Sequence, residues 1–486
     1  MLVYVGAVKF YAGLVKIQLC NMFLISIKFF QNFYYGFYFS NLKINNFNNY
    51  SFKSNFNQLN SCRRFYSVLS SKSIDEEFLR WFVGFSDGES NFTIVLLKDK
   101  EGNIKGVSFR FIIELHVDDI DALKYIKSKL NIGNEIAVYG NSCKFSVIHR
   151  NDIIKLISIF EKYPLNTSKY LDYLDFKKAF ELYSEFKACT VKEKKKLIDK
   201  LISIKSGMNN GRVDFNFPSY HKIEITSYWL LGLIEAEGSF YVDRFKLQPS
   251  FIIGLSEVQG VVIRKIKEYL ENNLGFDSYS MFKLQNSSFM AIVVDKGRGN
   301  TKPMLRFKIT NTLILVNYFI PFLDQMTFIT KKSKDYRDFK IICTAISKGA
   351  YRNNDIKELI LKLSYTMNNY RLSNNSDLNK VSFMSSEDID KIKNAESTIL
   401  LLKDGRQLDS ISKKEISGGW TNCVYEIIDY KGEIVLASTL NVAADCLSVR
   451  YATVSRQLNK LEGEFTIIEG KKIRRVSVFT LKDSSL

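Results

Sequence analysis

The sequence lacks the cysteine pattern of a zinc knuckle or a disulfide scaffold. Its seven cysteines are an odd number, and no two of them form a Cys-x-x-Cys pair. A zinc knuckle needs clustered ligands at fixed spacing, and a disulfide framework uses an even set of cysteines. We therefore expect free thiols in a reducing compartment.

The first 74 residues lack acidic side chains altogether, while they carry eight lysines or arginines and many Phe, Tyr and Asn residues. The absence of acids resembles an organellar presequence. The most apolar stretch, Met22 to Phe39, is interrupted by Lys28, Gln31 and Asn32. A helix that spans a membrane needs a longer uninterrupted apolar run, so we expect no stable membrane insertion. We interpret residues 1–74 as a leader and expect a mitochondrial matrix location.

The remaining composition is that of a globular, strongly basic protein. The chain has 486 residues, of which 46% are hydrophobic, and its net charge is +18. This length allows two or three domains with proper cores. The positive charge favours a polyanionic partner such as nucleic acid, although a merely soluble basic surface would give the same net charge.

Three short segments occur twice, in the same order and at similar spacing. A pattern that recurs at domain spacing indicates duplicated domains with loop insertions. The paired segments are Phe82–Glu89 with Leu230–Glu237, Thr167–Lys177 with Thr330–Lys340, and Met208–Arg212 with Met367–Arg371. The predicted divisions are a leader over 1–74, a first domain over 75–205, a linker over 206–223, a second domain over 224–375, a connector over 376–419 and a small module over 420–486.

Hydrophobic periodicity predicts an α+β fold in each half. Residues 108–117 alternate with period two, with Phe109 and Phe111 facing a core and Arg110 facing outward. This is the pattern of an antiparallel strand with one buried face, and residues 305–310 repeat it in the second half. Sheets of this kind need helices to cover the apolar face, and residues 153–160 and 313–322 can supply them.

The small module carries helix-turn-helix spacing. A helix over 440–446, a brief turn and a second helix over 451–459 follow a short hairpin. Thr453 and Arg456 would then reach a DNA groove, together with Ser455 and Asn459. A purely structural pair of helices has the same pattern. The DNA interpretation gains support from nearby basic residues, namely Lys471, Lys472, Arg474 and Arg475.

The first pair of repeats places small residues and acids at helical spacing. Gly84 and Gly88 are four apart, as are Gly232 and Ala236, so each helix offers a face that a partner helix can approach closely. The acids Glu89 and Glu237 would then lie in the last turn of each helix. A carboxylate is disfavoured there unless a cation compensates the helix dipole. Paired hard oxygen ligands suit Mg²⁺, which promotes phosphodiester hydrolysis. The alternative is tight core packing with solvated acids at the helix ends.

Together, both acid motifs, the Tyr163-Pro-Leu165 and Thr330-Lys-Lys332 segments and the Met208–Arg212 echo resemble the single-chain LAGLIDADG homing endonucleases of organellar introns. The resemblance implies two pseudo-symmetric αββαββα domains that form a DNA-binding saddle. It also implies a monomer that cuts both strands of a long, specific duplex site with Mg²⁺, or Mn²⁺ in its place, and leaves 3′ overhangs. The tail beyond about residue 420 resembles small DNA-binding modules attached to homing nucleases.

The resemblance also assigns the site residues. Glu89 and Glu237 match the family's metal-binding acids, and the carbonyls of Gly88 and Ala236 are expected to assist. His149 matches a basic position of the family, whereas the second half has Asn311 there, with Lys308 as the nearest cation. The predicted catalytic residues are Glu89, Glu237, His149 and Lys308. Ser90 replaces a glycine that usually closes the first motif.

Outward strand positions are the natural DNA contacts, because side chains on one face of a sheet can follow a groove. Ordinary solvated strand faces would show the same residues. The candidates are Thr93, Val95, Arg110, Tyr241, Asp243, Arg306 and Lys308, with Thr453 and Arg456 in the small module.

Three functions are compatible with this pattern. The first is a site-specific DNA endonuclease that promotes homing of its intron. The second is an intron maturase that assists RNA splicing on the same scaffold, with the host intron RNA as partner. The third is a relative that binds DNA without cutting it.

Overall fold

A computed structural model describes residues 75–186, 189–297, 302–368, 384–416 and 422–480. The predicted leader over 1–74 lies outside the described residues. Among the residues described, no helix combines the length and the apolar character needed to cross a lipid bilayer.

The first half alternates helices with antiparallel hairpins. Its elements are α1 (Glu76–Glu89), β1 (Ser90–Lys98), β2 (Ile104–His116), α2 (Ile120–Leu130), β3 (Ala137–Tyr139), β4 (Ser142–Val147), α3 (Arg150–Lys162), α4 (Lys169–Ser184) and α5 (Val191–Ser206). The strands form one sheet in the order β1-β2-β4-β3.

The second half repeats this order. Its elements are α6 (Ser227–Glu237), β5 (Gly238–Asp243), β6 (Gln248–Ser256), α7 (Gly260–Asn273), α8 (Ser278–Gln285), β7 (Met290–Asp295), β8 (Met304–Ile309), the broken helix α9 (Thr312–Ile314, a π-helical turn Leu315–Phe319, and Ile320–Leu323), α10 (Lys332–Ser347) and α11 (Asn354–Ser364). The sheet order β5-β6-β8-β7 matches the first sheet, so the prediction of two αββαββα halves is confirmed. Helix α8 has no counterpart between α2 and β3.

The predicted strand alternation places the core of each half behind its sheet. In β2 the side chains of Phe109, Phe111 and Ile113 are buried, whereas Arg110 lies on the opposite, partly exposed face. Helices α3 and α4 cover the apolar face, where Phe176 packs on Phe109. The uncovered faces of the two sheets therefore remain available for a ligand.

The two halves meet through α1 and α6, which pack backbone against backbone. A Cβ added at Gly84 would lie 1.9 Å from the carbonyl oxygen of Trp229, and one at Gly232 would lie 2.1 Å from that of Trp81. No side chain larger than hydrogen fits at such distances. The glycine spacing thus predicted the packing of these helices correctly.

The third repeated segment has the same structural role in both halves. Asn209 and Asn368 adopt left-handed backbone conformations with φ of 53° and 55°. Their side-chain amides donate to the carbonyl oxygens of Phe92 at 3.0 Å and Phe240 at 2.8 Å, on the edge strands β1 and β5. The first residues of the predicted linker over 206–223 are therefore fixed to the first half.

After α11 the chain forms α12 (Ser386–Lys393), a hairpin of β9 (Ile399–Leu401) and β10 (Gln407–Asp409), and the C-terminal module. The module contains β11 (Cys423–Ile428), β12 (Ile434–Ala437), α13 (Leu440–Leu447), α14 (Tyr451–Leu458), β13 (Thr466–Ile468) and β14 (Lys471–Ser477). Its strand order is β12-β11-β14-β13. Ser448 ends α13 in a left-handed conformation, so that a short turn joins the two helices.

Two of the basic residues expected to support DNA binding by the module have internal partners instead. Arg475 is 3% exposed and its Nη1 lies 3.0 Å from Oδ2 of Asp404. The Nε atom of Arg474 lies 2.5 Å from Oε2 of Glu426. For Arg475 the interpretation is wrong, because the sheet of the module turns its charge towards a buried acid, whereas Arg474 is paired but stays partly exposed.

The module is attached to the second half through its last described residues. The backbone N–H of Phe479 donates to Oγ of Ser280 on α8 at 3.3 Å, and the Phe479 ring packs against those of Phe276 and Phe289. Lys283 of α8 donates to the carbonyl oxygen of Ser438 at 2.6 Å. The helix that only the second half contains thus serves as the docking element of the module.

Candidate active site

The acids Glu89 and Glu237 are the last residues of α1 and α6. The chain continues from both in extended conformation into β1 and β5, so both side chains emerge at the same end of the packed helix pair. A Cβ added at Gly88 would lie 2.2 Å from the Ala236 Cβ and 3.2 Å from the Glu237 Cγ. The sequence prediction that the two motifs bring their acids together is therefore supported by the geometry of the helix ends.

The two carboxyl groups share one electrostatic environment. Burial raises the pKa of Glu89, and the negative charge of Glu237 raises it further, whereas Lys169 and Lys332 lower it. Removal of water by the surrounding protein also raises the pKa of Glu237, although its side chain keeps more exposed surface than Glu89, and the same two lysines oppose this rise. Two acids and two lysines thus form the charged centre of the junction.

Lys169 and Lys332 occupy equivalent first positions of α4 and α10. The ammonium group of Lys169 donates to the carbonyl oxygens of Gly88 and Ser90, at 2.6 Å for Ser90. Lys332 donates to the carbonyl oxygens of Gly238 at 2.6 Å and Ala236 at 3.3 Å. Burial lowers the pKa of both lysines. They satisfy the free carbonyls at the C-terminal ends of α1 and α6 and offset the negative helix dipoles there.

The position of Lys169 is set by Asp87, the other acid of the first motif. The buried Asp87 carboxylate accepts hydrogen bonds from the backbone N–H groups of Asn166 and Thr167, each at 2.8 Å, and from Nε1 of Trp229 at 2.8 Å. Burial raises the pKa of Asp87. One carboxylate thus fixes the start of α4 and also links the first half to the second.

Glu235 of the second motif makes the equivalent contacts, to the segment before α10 and to a tryptophan of the first half. Its carboxylate accepts from the N–H groups of Ile329 at 3.0 Å and Thr330 at 2.5 Å, and from Nε1 of Trp81 at 2.8 Å. Burial also raises the pKa of Glu235. The first acid of each motif is therefore structural, whereas the second faces the site.

The other predicted site residues either have hydrogen-bond partners within the protein or lie outside the charged centre formed by the two acids and two lysines. The carbonyls of Gly88 and Ala236 accept hydrogen bonds from the two lysines. His149 precedes α3 as its N-cap residue without a side-chain capping bond, and Lys308 lies on the outward face of β8. Neither His149 nor Lys308 is among the largest influences on the pKa of the two glutamates.

The residue at the second basic position of the family, Asn311, has a structural role. It is buried, and its side-chain oxygen accepts from the N–H groups of Leu313 and Ile314 at the start of α9. Its amide nitrogen donates to Oδ1 of Asn422 at 2.7 Å. This position therefore fastens the C-terminal module and supplies no charge.

Sequence reasoning missed Lys169 and Lys332 as site residues. Both lie in the second repeated segment, where they align with each other at the same offset as the rest of that segment. A lysine that recurs at the same place in both halves was the available indication. Its meaning depends on the approach of α4 to the end of α1, which no local pattern encodes.

The first-half candidates for DNA contact share one face of the saddle. Thr93 pairs with Arg110 in the register of β1 and β2, and Val95 pairs with Ser108. These side chains point away from the buried Phe92 and hence towards the uncovered side of the sheet. The geometry therefore agrees with the predicted face.

In the second half, two candidates already have partners within the protein. Arg306 pairs with Asp295 at 2.8 Å, and Asp243 accepts from the N–H groups of Phe245 and Lys246 in the turn after β5. Tyr241 is exposed on β5. In the module, Thr453 and Arg456 are exposed on α14, whereas Asn459 accepts a hydrogen bond from Arg475 at 3.0 Å.

Ser90 fits the junction without strain. Its backbone is extended, with φ of −85°, and its hydroxyl donates to the carbonyl oxygen of Ser86 at 2.6 Å. The departure from glycine therefore leaves the position of Glu89 intact.

The fold and the junction define a duplicated α+β saddle in which each half contributes one acid to a shared site. The family model described as LAGLIDADG endonuclease matches residues 82–180 and 230–343, once in each half. Each half of the chain is therefore similar to the LAGLIDADG endonucleases, and the chain carries two copies of their motif.

Fungal proteins are among its relatives. A probable intron-encoded endonuclease of Schizosaccharomyces pombe, Cox1-I1b, is 33% identical over 47% of this chain and 57% of its own length. The uncharacterized mitochondrial protein RF1 of Saccharomyces cerevisiae is 26% identical over 63% of this chain and 62% of its own length. The chain spans less than two thirds of the length of these curated relatives.

Solved structures show the same fold. The LAGLIDADG homing endonuclease I-GzeII in complex with its DNA target is 24% identical with a TM-score of 0.51, over 60% of this chain and 99% of that one. The meganuclease I-CpaMI bound to uncleaved DNA is 25% identical with a TM-score of 0.50, over 60% and 99% of the two chains.

Proposed function

We propose that this protein is a site-specific double-strand DNA endonuclease that promotes homing of its intron. The observation that carries the proposal is the convergence of Glu89 and Glu237, one from each half, at the ends of the packed helices α1 and α6. A duplex has two strands of opposite polarity, and a pseudo-twofold site presents one acid to each. The name of the relative from Schizosaccharomyces pombe and the DNA complexes of I-GzeII and I-CpaMI support the same activity.

The donor set of the junction suits a divalent cation that is shared with DNA. Within the described ranges, no group of three or more His, Cys, Asp or Glu side chains could hold a metal. A site with only two carboxylates fits Mg²⁺, because this ion keeps water and phosphate oxygens in its coordination shell. Mn²⁺ is the proposed substitute. When bound, such a cation supplies activation of water and stabilisation of the leaving oxygen.

The residues of the chain prepare this site before DNA arrives. Lys169 and Lys332 neutralise the helix ends and place positive charge beside the acids, where a phosphate would approach. Asp87 and Glu235 hold the lysine-bearing helices in place through their buried hydrogen bonds. The outward side chains of the two sheets, such as Thr93 and Arg110 in the first half and Tyr241 in the second, then hold the duplex on either side of the junction.

The proposal is tested with a plasmid that carries the intron-insertion site. An uninterrupted copy of the host locus provides that sequence. Purified protein with Mg²⁺ should convert the supercoiled plasmid to the linear form with 3′ overhangs. Failure to nick or linearise plasmids with any sequence that flanks the reading frame would overturn the proposal in favour of a maturase or a binding protein.

The pH dependence of cleavage should report on the lysines. We expect Lys332→Met to shift the acidic limb of the pH–rate profile to higher pH. The ammonium group lowers the pKa of Glu89 and Glu237, so its removal raises both pKa values, and a higher pH is then needed to ionise the acids. The measurement is single-turnover cleavage across a pH series, with Lys357→Met on the exposed side of α11 as control. An acidic limb at the wild-type position would contradict this role.

The C-terminal module is proposed to contact DNA through α14. Thr453 and Arg456 are exposed on this helix, and the anchoring of Phe479 on α8 holds the module at a fixed place on the second half. Contacts from this helix would lengthen the target on one side only. We also propose that the protein acts as a monomer, since one chain contains both halves of the site. Its proposed location is the mitochondrial matrix.

Replacement of Arg456 by Ala should weaken binding to the target duplex by about 1–3 kcal/mol if the side chain reads a base, and relax specificity at one position. The measurement is a titration of labelled target DNA at fixed salt, followed by selection from a randomised flank. Lys431→Ala, in the exposed turn of the same module, is the matched control. Equal affinities of the Arg456→Ala and Lys431→Ala variants for the target duplex would show that α14 does not contact DNA.

A further inference from the structure

Helix α5 of the first half is unusually rich in lysine. It contains six lysines and only two acids. One of the acids, Glu193, forms a capping box with Thr190 at the start of the helix and is therefore occupied. The apolar side of α5 is buried through Leu197 and Leu201, so the helix is held in place and its lysines are displayed on a fixed surface.

Three of these lysines form a stripe along the exposed side. Lys192, Lys196 and Lys200 follow each other at a spacing of four residues, and all three are exposed. Like charges at this spacing destabilise a helix by a few tenths of a kcal/mol per pair. Among the described residues, no carboxylate forms an ion pair with any of the three. Asp199 lies one turn after Lys196 but forms no ion pair with it, so the described residues leave most of this positive charge to an anionic partner.

The equivalent helix of the second half is different. Lys362 of α11 lies 3.3 Å from Asp388 of α12, and Ile392 of α12 is buried. Helix α11 thus has a protein neighbour with a compensating charge. The lysine stripe of α5 has no such neighbour in the described part of the chain, so the asymmetry points to a partner from outside the chain.

The position of α5 connects it to the saddle. Its last turn lies beside β1, the edge strand of the first sheet. Lys205 of α5, Asn209 and Thr93 line one cavity of about 300 Å³, and Thr93 lies on the face proposed for DNA. The Asn209 amide also binds the carbonyl oxygen of Phe92 on this strand. The C-terminal turn of the helix therefore borders the edge strand of the proposed DNA surface.

We propose that the lysine face of α5, formed by Lys192, Lys196 and Lys200, binds the phosphate backbone of the duplex held by the saddle, on the side of the first half. This inference rests on the proposed DNA-binding function and deepens it. Lysine ammonium groups neutralise phosphates without reading bases, so the contact adds affinity for any sequence. The same face has the charge to bind RNA, but the end of α5 borders β1, the edge strand of the proposed DNA surface, and this favours the duplex.

The test is the salt dependence of binding to a duplex of arbitrary sequence, about 40 base pairs long, in the absence of divalent metal. Each phosphate contact contributes about 0.9 to the slope of log K against log salt concentration. For the triple variant Lys192→Gln, Lys196→Gln and Lys200→Gln, we expect the slope to fall in magnitude by about 1–3 and the affinity at low salt to fall by about 10- to 100-fold. Glutamine has nearly the helix propensity of lysine, and the far-UV circular dichroism should confirm an intact fold.

The matched control removes the same charge elsewhere, as Lys357→Gln, Lys391→Gln and Lys414→Gln at exposed positions of the second half and the connector. An equal change of slope in both triple variants would overturn the inference, because it would reflect net charge alone. A slope unchanged for DNA but reduced for an RNA of similar length would overturn it in favour of an RNA surface. Absence of DNA binding by the unaltered protein would instead refute the proposed function itself.

Discussion

Replacement of Glu237 by Gln is expected to abolish cutting of duplex DNA while leaving binding intact. The side chain keeps its size but loses the charge that the proposed site offers to a divalent cation. We expect cleavage to fall by about 10³-fold or more, which corresponds to roughly 4 kcal/mol of transition-state stabilisation. Glu89→Gln should behave in the same way, because the two acids occupy equivalent helix ends.

Binding of DNA should not weaken when cleavage is lost. Without metal, the two acids present negative charge to the phosphates, so neutralising either one should leave affinity unchanged or increase it. The measurements are single-turnover cleavage of the plasmid substrate and a binding titration in chelator. Glu358→Gln on the exposed side of α11 serves as control. Cleavage within about tenfold of the unaltered protein would show that the acid pair does not carry the reaction.

The same pair of variants separates the two roles that this scaffold can have. A maturase acts by binding RNA, and its splicing assistance should survive the loss of both carboxylates. An endonuclease loses its activity. A protein with both activities would therefore lose only cleavage in the double variant Glu89→Gln and Glu237→Gln.

The second large effect is expected at the helix crossing. Gly84→Ala and Gly232→Ala should each destabilise the protein by about 3 kcal/mol or more, because the new Cβ meets backbone atoms that cannot move aside independently. At Gly232 the added atom would lie 2.1 Å from the Trp81 carbonyl oxygen and 2.6 Å from the Phe85 nitrogen. The helices must separate, and the two acids then lose their common site.

Thermal unfolding monitored by circular dichroism measures this effect, with cleavage as a second readout. A loss of about 3 kcal/mol lowers the midpoint by roughly 6–12 °C in a domain of this size. Gly106→Ala is the matched control, since its Cβ would lie 3.6 Å from the Tyr183 hydroxyl and 3.7 Å from a Leu97 methyl, in ordinary contact. Equal midpoints for Gly84→Ala and Gly106→Ala would refute the close packing of α1 and α6.

Local periodicity made much of the fold predictable. The alternation around Phe109 and Phe111 fixed which face of β2 is buried, and the recurrence of three segments indicated two similar halves. The spacing of Gly84 and Gly88 predicted a close helix partner, and the position of Glu89 followed from the length of that helix. Each of these inferences concerns neighbours within a few residues, where the geometry of helices and strands is regular.

Charged residues were the main source of error, since the role of a charge depends on its partners. Arg475 was expected to support DNA binding by the module through its charge, but it lies buried against Asp404. Asn311 occupies a position where the family has a basic residue, and its side chain instead fastens the C-terminal module through Asn422. In both cases the partner lies in a distant segment, so the sequence around the residue cannot predict the contact.

By itself, the sequence determined the similarity to LAGLIDADG endonucleases, the duplicated αββαββα halves and the acids at the two helix ends. Only the tertiary structure showed that Asp87 and Glu235 are structural and that Lys169 and Lys332 complete the charged junction. It also showed that, among the described residues, the lysine stripe of α5 has no acidic partner. The physical reason is that regular elements arise from interactions between nearby residues, whereas burial and ion pairing depend on which elements the completed fold brings together.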